Sequence, residues 1–164
     1  AIGRSWQGPT VQVDFNLPER FKLTYVDVDG TKKTPVMVHR AILGSLERFL
    51  GALIENYAGA FPVWLAPVQV AILPIADRHN DYVEEIAKKL KEAEIRVEVD
   101  LRREKIGAKI RDAQLQKIPY MLIVGDKELE GQTLSVRHRR KGDLGAKKVV
   151  EFIASLKKEI DNRA

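Results

Sequence analysis

Val68-Gln69-Val70-Ala71-Ile72-Leu73-Pro74-Ile75 reads as a strand, and the segments that follow it decide the fold. Helical spacing predicts a helix near Asn80 to Ala93, and a strand is expected over Ile95 to Leu101. A helix near Gly107 to Lys117 and a strand over Tyr120 to Val124 come next. A strand over Thr133 to Arg139 and a last helix, roughly Gly145 to Ile160, complete the order β-α-β-α-β-β-α. Alternation of this kind describes an α/β unit with a mixed sheet and helices packed on its faces.

Toward the N-terminus the pattern changes. Ala58-Gly59-Ala60-Phe61-Pro62-Val63-Trp64-Leu65-Ala66-Pro67 holds two prolines and a glycine, which interrupt regular structure and place a junction near Ala60 to Pro67. Two domains are expected, residues 1–62 and 63–164. Before the junction, Ile42, Leu46, Phe49, Leu50, Leu53 and Ile54 recur at helical spacing, predicting an amphipathic helix from about Ala41 to Tyr57. Val11, Val13 and Phe15 alternate with Thr10, Gln12 and Asp14, as a half-buried strand requires. Phe21, Leu23 and Tyr25 alternate again, Asp29-Gly30 tolerates positive φ, and Val36 and Val38 continue on the return. The first region is therefore read as antiparallel β.

Composition bounds the function classes. Hydrophobic residues make up 45% of the 164, enough for a core, and the formal net charge is +5. The charge is uneven: Arg96 to Lys148 holds fourteen Lys or Arg against eight Asp or Glu. A basic module with Arg111, Arg137, Arg139, Arg140 and Lys141 suits a phosphate backbone, although an ordinary solvated basic face fits the composition equally. There is no cysteine, so neither a disulfide framework nor a thiolate metal site exists, and any metal must take His, Asp or Glu. The apolar runs are far shorter than the roughly 20 residues of a bilayer span. No basic-then-apolar leader opens the chain, so a soluble, cytoplasmic protein without membrane partners is expected. Ala1-Ile2-Gly3-Arg4-Ser5-Trp6 has no initiator Met and runs straight into a patterned segment, as expected of a piece of something longer.

The most specific string is Pro35-Val36-Met37-Val38-His39-Arg40-Ala41-Ile42-Leu43-Gly44-Ser45-Leu46-Glu47-Arg48-Phe49, a strand passing through a glycine into a helix that carries Glu-Arg. Gly44 permits close approach, and Arg48 can offer a flat guanidinium to an adenine ring or to phosphate. Read alone, Glu47 and Arg48 are equally surface helix charges, and a lone His39 is more often structural than a ligand. The string resembles motif 3 of class II aminoacyl-tRNA synthetases, and its His39-Arg40-Ala41-Ile42-Leu43-Gly44-Ser45 segment resembles the threonyl-tRNA synthetases. Trp6 to Pro18 looks like the strand preceding motif 3 in that family. The resemblance implies that Gln7 and Arg48 bind ATP, Arg48 being the catalytic one, and that Thr10, Gln12 and Ser45 line the threonine pocket. It implies that His39 is one of three zinc ligands; the other two are absent from this chain, so the zinc site is incomplete here.

The second region carries its own match. Trp64-Leu65-Ala66-Pro67-Val68-Gln69-Val70, Gly107 to Arg111, and Ile118-Pro119-Tyr120-Met121-Leu122-Ile123-Val124-Gly125-Asp126-Lys127-Glu128 look like the anticodon-binding domain shared by threonyl, prolyl, glycyl and histidyl synthetases. Val136-Arg137-His138-Arg139-Arg140 favours threonyl. By matching position, Glu128 and Arg137 face the anticodon bases with Arg111 nearby, residue types suited to base reading. A Glu128–Arg137 cross-strand ion pair is the other reading.

The implied fold is a C-terminal anticodon-binding domain preceded by a fragment of a class II antiparallel β catalytic domain. The implied parent activates L-threonine with ATP and Mg²⁺, transfers it to threonine tRNA, uses Zn²⁺ and is a homodimer; the 164 residues alone are expected to be catalytically inactive. A noncatalytic RNA-binding protein derived from a synthetase, or another class II synthetase sharing the C-terminal fold, is the alternative.

Overall fold

The structure is a computed structural model that describes residues 3 and 5–163, so the outer ends of the two expected domains, residues 1 and 164, lie outside the described residues. The chain divides into two compact units between Asn56 and Tyr57.

In the first unit β1 (Thr10–Asp14) leads into a short α1 (Asn16–Arg20). The Asp14 carboxylate sets this bend, because its Oδ1 accepts the Asn16 and Leu17 N–H groups at 2.8 and 3.0 Å. The hairpin of β2 (Tyr25–Val26) and β3 (Lys32–Lys33) turns at Gly30, whose φ is +78°. β4 (Met37–Ala41) then pairs antiparallel with β1 and is followed by α2 (Leu46–Tyr57). The helix expected from Ala41 starts at Leu46, because Ala41 completes the strand and Gly44 sits at φ +69°, outside helical space. Ser45 then caps it, its Oγ accepting the Arg48 N–H at 3.3 Å.

The second unit holds β5 (Val70–Pro74), a 3₁₀ turn (Asp77–His79), α3 (Asn80–Glu92), β6 (Val97–Val99), α4 (Ile106–Leu115) and β7 (Tyr120–Val124). It continues through α5 (Asp126–Gly131), β8 (Thr133–His138), β9 (Gly142–Lys148) and α6 (Val149–Asp161). The sheet order is β6-β5-β7-β8-β9, with β5, β6 and β7 parallel and β8 and β9 antiparallel. This is the expected α/β unit with a mixed sheet, plus two elements. Residues 142–148, expected in part as the start of the last helix, form strand β9. Pairing with β8 overrides local helix preference there, and a bulge at Gly145, φ +79°, absorbs the extra residue. The short α5 fills what reads as a plain connection.

Side chains alternate between the two faces of the sheet. Val70, Ile72, Leu122, Val124, Leu134 and Val136 meet α3 and α6 through Val83, Ile86, Leu90, Phe152 and Leu156. On the other face Ala71, Leu73 and Met121 meet α4 through Ile106, Ile110 and Ala113, with Val68 and Ile118 beside them. Among the described residues every buried hydrophobic side chain except Pro18 lies at Val63 or beyond. The segment before β5 belongs to this unit through three side chains. Arg139 donates to the carbonyls of Ala60, Phe61 and Lys117. Arg96 donates to those of Ala66 and Trp64 at 2.9 and 2.8 Å. Buried Gln69 donates to Val63 O at 2.9 Å and accepts from Arg96 N. These bonds satisfy an irregular stretch that has no ladder of its own.

The first unit is built differently. Of its described residues only Pro18 is fully buried, and seventeen of the twenty-one large exposed hydrophobics fall before residue 57. No helix among the described residues is long and apolar enough to cross a membrane.

Candidate functional site

Two constellations stand apart, one in each unit. In the first, the antiparallel register sets Gln12 directly opposite His39 and Thr10 opposite Ala41. Directly opposed residues share a face, so Thr10, Gln12, Asp14 and His39 form one polar surface. His39 Nε2 lies 3.0 Å from Asp14 Oδ2. The Asp14 carboxyl is held below the usual carboxylate range, first by the Leu17 N–H and then by His39. Ser45 is engaged as the helix cap. Gln7 and Arg48 line one cavity of about 290 Å³ together with Trp6, Pro9 and Phe49. Gly44 makes this close approach possible, since a Cβ there would sit 3.3 Å from the carbonyl oxygens of Gln7 and Gly8. Among the described residues no three His, Cys, Asp or Glu gather to hold a metal ion.

The second constellation lies at the carboxyl ends of β5 and β7. The chain leaves β5 for β6 on one side and returns over β5 to β7 on the other, so a crevice opens between the β5 and β7 ends. Ile75, half-exposed, sits at that point and donates its N–H to Val124 O at 2.9 Å. On one flank it lines an apolar cavity of about 670 Å³ with Lys105, Ile106, Gly107, Ala108 and Arg111 at the start of α4. On the other it presses on Gly125, where a Cβ would come within 2.7 Å of Ile75 Cδ1. Arg111 and the Gly125–Glu128 turn therefore flank one exposed apolar residue.

Glu128 is the third residue of α5 and caps its start, accepting the Gly125 N–H on Oε2 at 3.0 Å. Arg137 lies in β8, paired across the ladder with Met121 and with Asp143 of β9. Its Nε is buried and makes no hydrogen bond to protein. α5 packs on β8, yet no ion pair joins Glu128 to Arg137. The surrounding arginines are differently disposed. Arg78 pairs with Asp126, Arg102 with Asp100 and Asp112, and Arg103 with Asp77. Lys105, Arg111 and Arg137 make no ion pair with a described residue, so their charge is open to an external anion.

Sequence reading singled out Arg111, Glu128 and Arg137 but passed over Ile75 and Lys105. The signal was present: an apolar residue at the end of a central strand, followed by a connection, marks where crevices form.

Comparison with known proteins follows the same division. Residues 69–159 match the family model of the anticodon binding domain, and residues 1–57 match that of the tRNA synthetase class II core domain (G, H, P, S and T). The chain is 58% identical over 162 residues to a threonine–tRNA ligase of Clostridium kluyveri, covering 99% of this chain and 25% of that protein. It is 60% identical over 162 residues to the threonine–tRNA ligase of Clostridium novyi, covering 99% of this chain and 25% of the relative. It thus spans about a quarter of the length of these curated relatives. The crystal structure of the RNA binding domain of threonyl-tRNA synthetase from Cryptosporidium parvum Iowa II is similar at a TM-score of 0.82 and 32% identity, over 97% of this chain and 40% of that one. The chain belongs to the anticodon-binding domain family, carried behind a segment of class II synthetase core in the arrangement of the threonyl-tRNA synthetases.

Proposed function

We propose that the chain is the part of a threonine–tRNA ligase that recognises the anticodon and supplies one wall of the site where threonine is activated with ATP and joined to its tRNA. The observation that carries this reading is a carboxylate and a guanidinium that make no ion pair with a described residue, on two elements that pack together: Glu128 on α5, just after β7, and Arg137 on β8, level with Met121. Glu128 spends one carboxylate oxygen on its helix, and Arg137 keeps its guanidinium out of any ion pair. A carboxylate accepts from base amino or imino groups and a guanidinium donates two parallel bonds, which together read a base edge. Ile75 offers an apolar surface on which an unstacked base can rest. Lys105 and Arg111 stand ready for phosphate.

In the first unit, Gln7 and Arg48 are assigned to ATP and Arg48 to the catalytic role. Thr10 and Gln12 are assigned to the threonine pocket. Ser45 belongs there too if its hydroxyl can donate to threonine while accepting the Arg48 N–H. The exposed apolar residues of this unit are the surface that a longer class II core would cover. Mg²⁺ would accompany ATP. His39 is proposed as a single contribution to a zinc site completed elsewhere in a parent chain. The described residues do not fit a whole site, and no step is routed through a metal. A cytoplasmic, dimeric parent completes the proposal.

The substitutions Arg137→Ala and Glu128→Gln test the base-reading assignment. Each is expected to weaken binding to threonine tRNA by about 1–3 kcal/mol, roughly 5- to 150-fold. Neither is expected to change the weaker binding to a tRNA with an altered anticodon, which rests on phosphate contacts. Equal weakening toward both RNAs, measured by filter binding at one salt concentration, contradicts it.

A further inference from the structure

Glu128 stands on a helix of six residues, Asp126–Gly131, less than two turns long. A helix so short does not hold its shape in water unaided, because nucleation is unfavourable and few bonds follow it. Its N-cap position is Gly125, which has no side chain to bond the first turn. The Glu128 bond to the Gly125 N–H closes the first turn, and contacts from outside α5 fix where that turn lies.

That role falls to the connection after β5. Asp126, the first residue of α5, accepts three hydrogen bonds from two consecutive residues there. Arg78 grips it with both faces of its fork, Nε to Oδ1 at 2.8 Å and a terminal nitrogen to Oδ2 at 2.6 Å. His79 Nε2 reaches Oδ1 at 2.9 Å. His79 is wholly buried, and its Nδ1 accepts the Ala76 N–H at 3.2 Å. That bond requires the lone pair on Nδ1, so the ring proton sits on Nε2 and points at Asp126. Ala76 follows Ile75, itself bonded to Val124 at the end of β7. The loop thus ties β5, β7 and α5 together at one carboxylate.

Stability explains only the histidine's part in this convergence, since the buried His79 Nε2–H needs an acceptor and Asp126 is it. The Arg78 and Asp126 side chains are 65% and 57% exposed, and ion pairs that open to water contribute little to folding. Bidentate geometry supplies direction as well as energy. We propose that Arg78, His79 and Asp126 are positioning residues: they set the register of α5 and thereby aim the Glu128 carboxylate at the base it reads. This rests on the base-reading role of Glu128 proposed above. Only Lys127 separates Asp126 from Glu128, so a slip or fraying of the first turn displaces both. The pair is also sequence-local in its origin: Asp77-Arg78-His79 places the guanidinium and the imidazole side by side on a 3₁₀ turn.

The test uses the 164-residue chain and two anticodon stem-loops that differ only in the anticodon, one of threonine tRNA and one altered. The quantity read is the Kd for the altered stem-loop divided by the Kd for the threonine one. Glu128→Gln and Asp126→Asn are each expected to lower that ratio about tenfold. The double variant is expected to lose no more than either alone, because both act through one contact. The dependence of log Kd on log salt should stay as in the unsubstituted chain, since no phosphate contact is removed. Arg78→Gln, a change on an exposed side chain, should reproduce part of the loss and decides the matter if Asp126→Asn does not fold. An unchanged ratio in Glu128→Gln would show that Glu128 reads no base, and the positioning role would fall with it. A lowered ratio in Glu128→Gln with the original ratio in Asp126→Asn and Arg78→Gln would leave base reading intact and overturn the positioning role. Additive losses in the double variant would overturn it as well.

Discussion

A polypeptide of residues 57–164 is expected to fold by itself into a cooperative domain, whereas residues 1–56 alone are expected to remain unfolded or to aggregate. The reason is where apolar surface is buried. The core of β5, β7 and β8 against α3 and α6 lies wholly beyond residue 57, and so does the smaller cluster under α4. The irregular segment before β5 needs nothing from upstream, since Arg96, Gln69 and Arg139 satisfy its carbonyls within the same unit. The first unit has two small two-stranded sheets and a helix, α2, none of whose residues is buried. Two-stranded pairs are at best marginal without a face to pack on, and a helix of twelve residues gains most of its stability from tertiary packing. Dispersed amide NMR spectra and a sigmoidal urea transition are expected for 57–164, against collapsed, narrow spectra for 1–56. A dispersed spectrum from 1–56, or a non-cooperative melt from 57–164, would contradict this division of stability.

The second expectation concerns single residues and follows from the same asymmetry. Leu122→Ala, at a position with no exposed surface between α3 and α6, should destabilise the second unit by about 2–5 kcal/mol, the range for emptying a packed core site. A small domain holds only about 5–15 kcal/mol in total, so this is a large fraction of it. Leu50→Ala, on α2, where the side chain is already 46% exposed, should shift stability by less than about 0.5 kcal/mol. Urea midpoints from far-UV circular dichroism of the 164-residue variants compare the two. Similar shifts would mean that α2 has a packed partner within this chain.

How much of this was legible beforehand differs element by element. Tyr120–Val124 reads as a strand and is one, because an unbroken apolar run with both faces covered leaves no competing period. β9 was hidden: Gly142-Asp143-Leu144-Gly145-Ala146 has weak strand propensity, and only the edge of β8 makes it extended. α5 was readable in principle from Gly125-Asp126-Lys127-Glu128, where an acidic residue three positions after a helix-breaking glycine signals a start. Arg111, Glu128 and Arg137 were legible only through resemblance, since neither spacing nor charge marks them out from the other charged residues. What no pattern could show is that Glu128 and Arg137 leave each other unpaired, or that Asp126 rather than Glu128 takes the arginine and the histidine. Those depend on which side chains the β5 and β7 ends bring together in space.

Base-specific recognition by Glu128 and Arg137 is tested most directly by the affinity of the unsubstituted chain for threonine tRNA and for the same tRNA with its anticodon altered, at one fixed salt concentration. The expected result is at least tenfold tighter binding of the first, the discrimination that one well-made base contact supplies. Equal affinity for the two would leave only the phosphate term and would contradict the assignment of Glu128 and Arg137 as base readers.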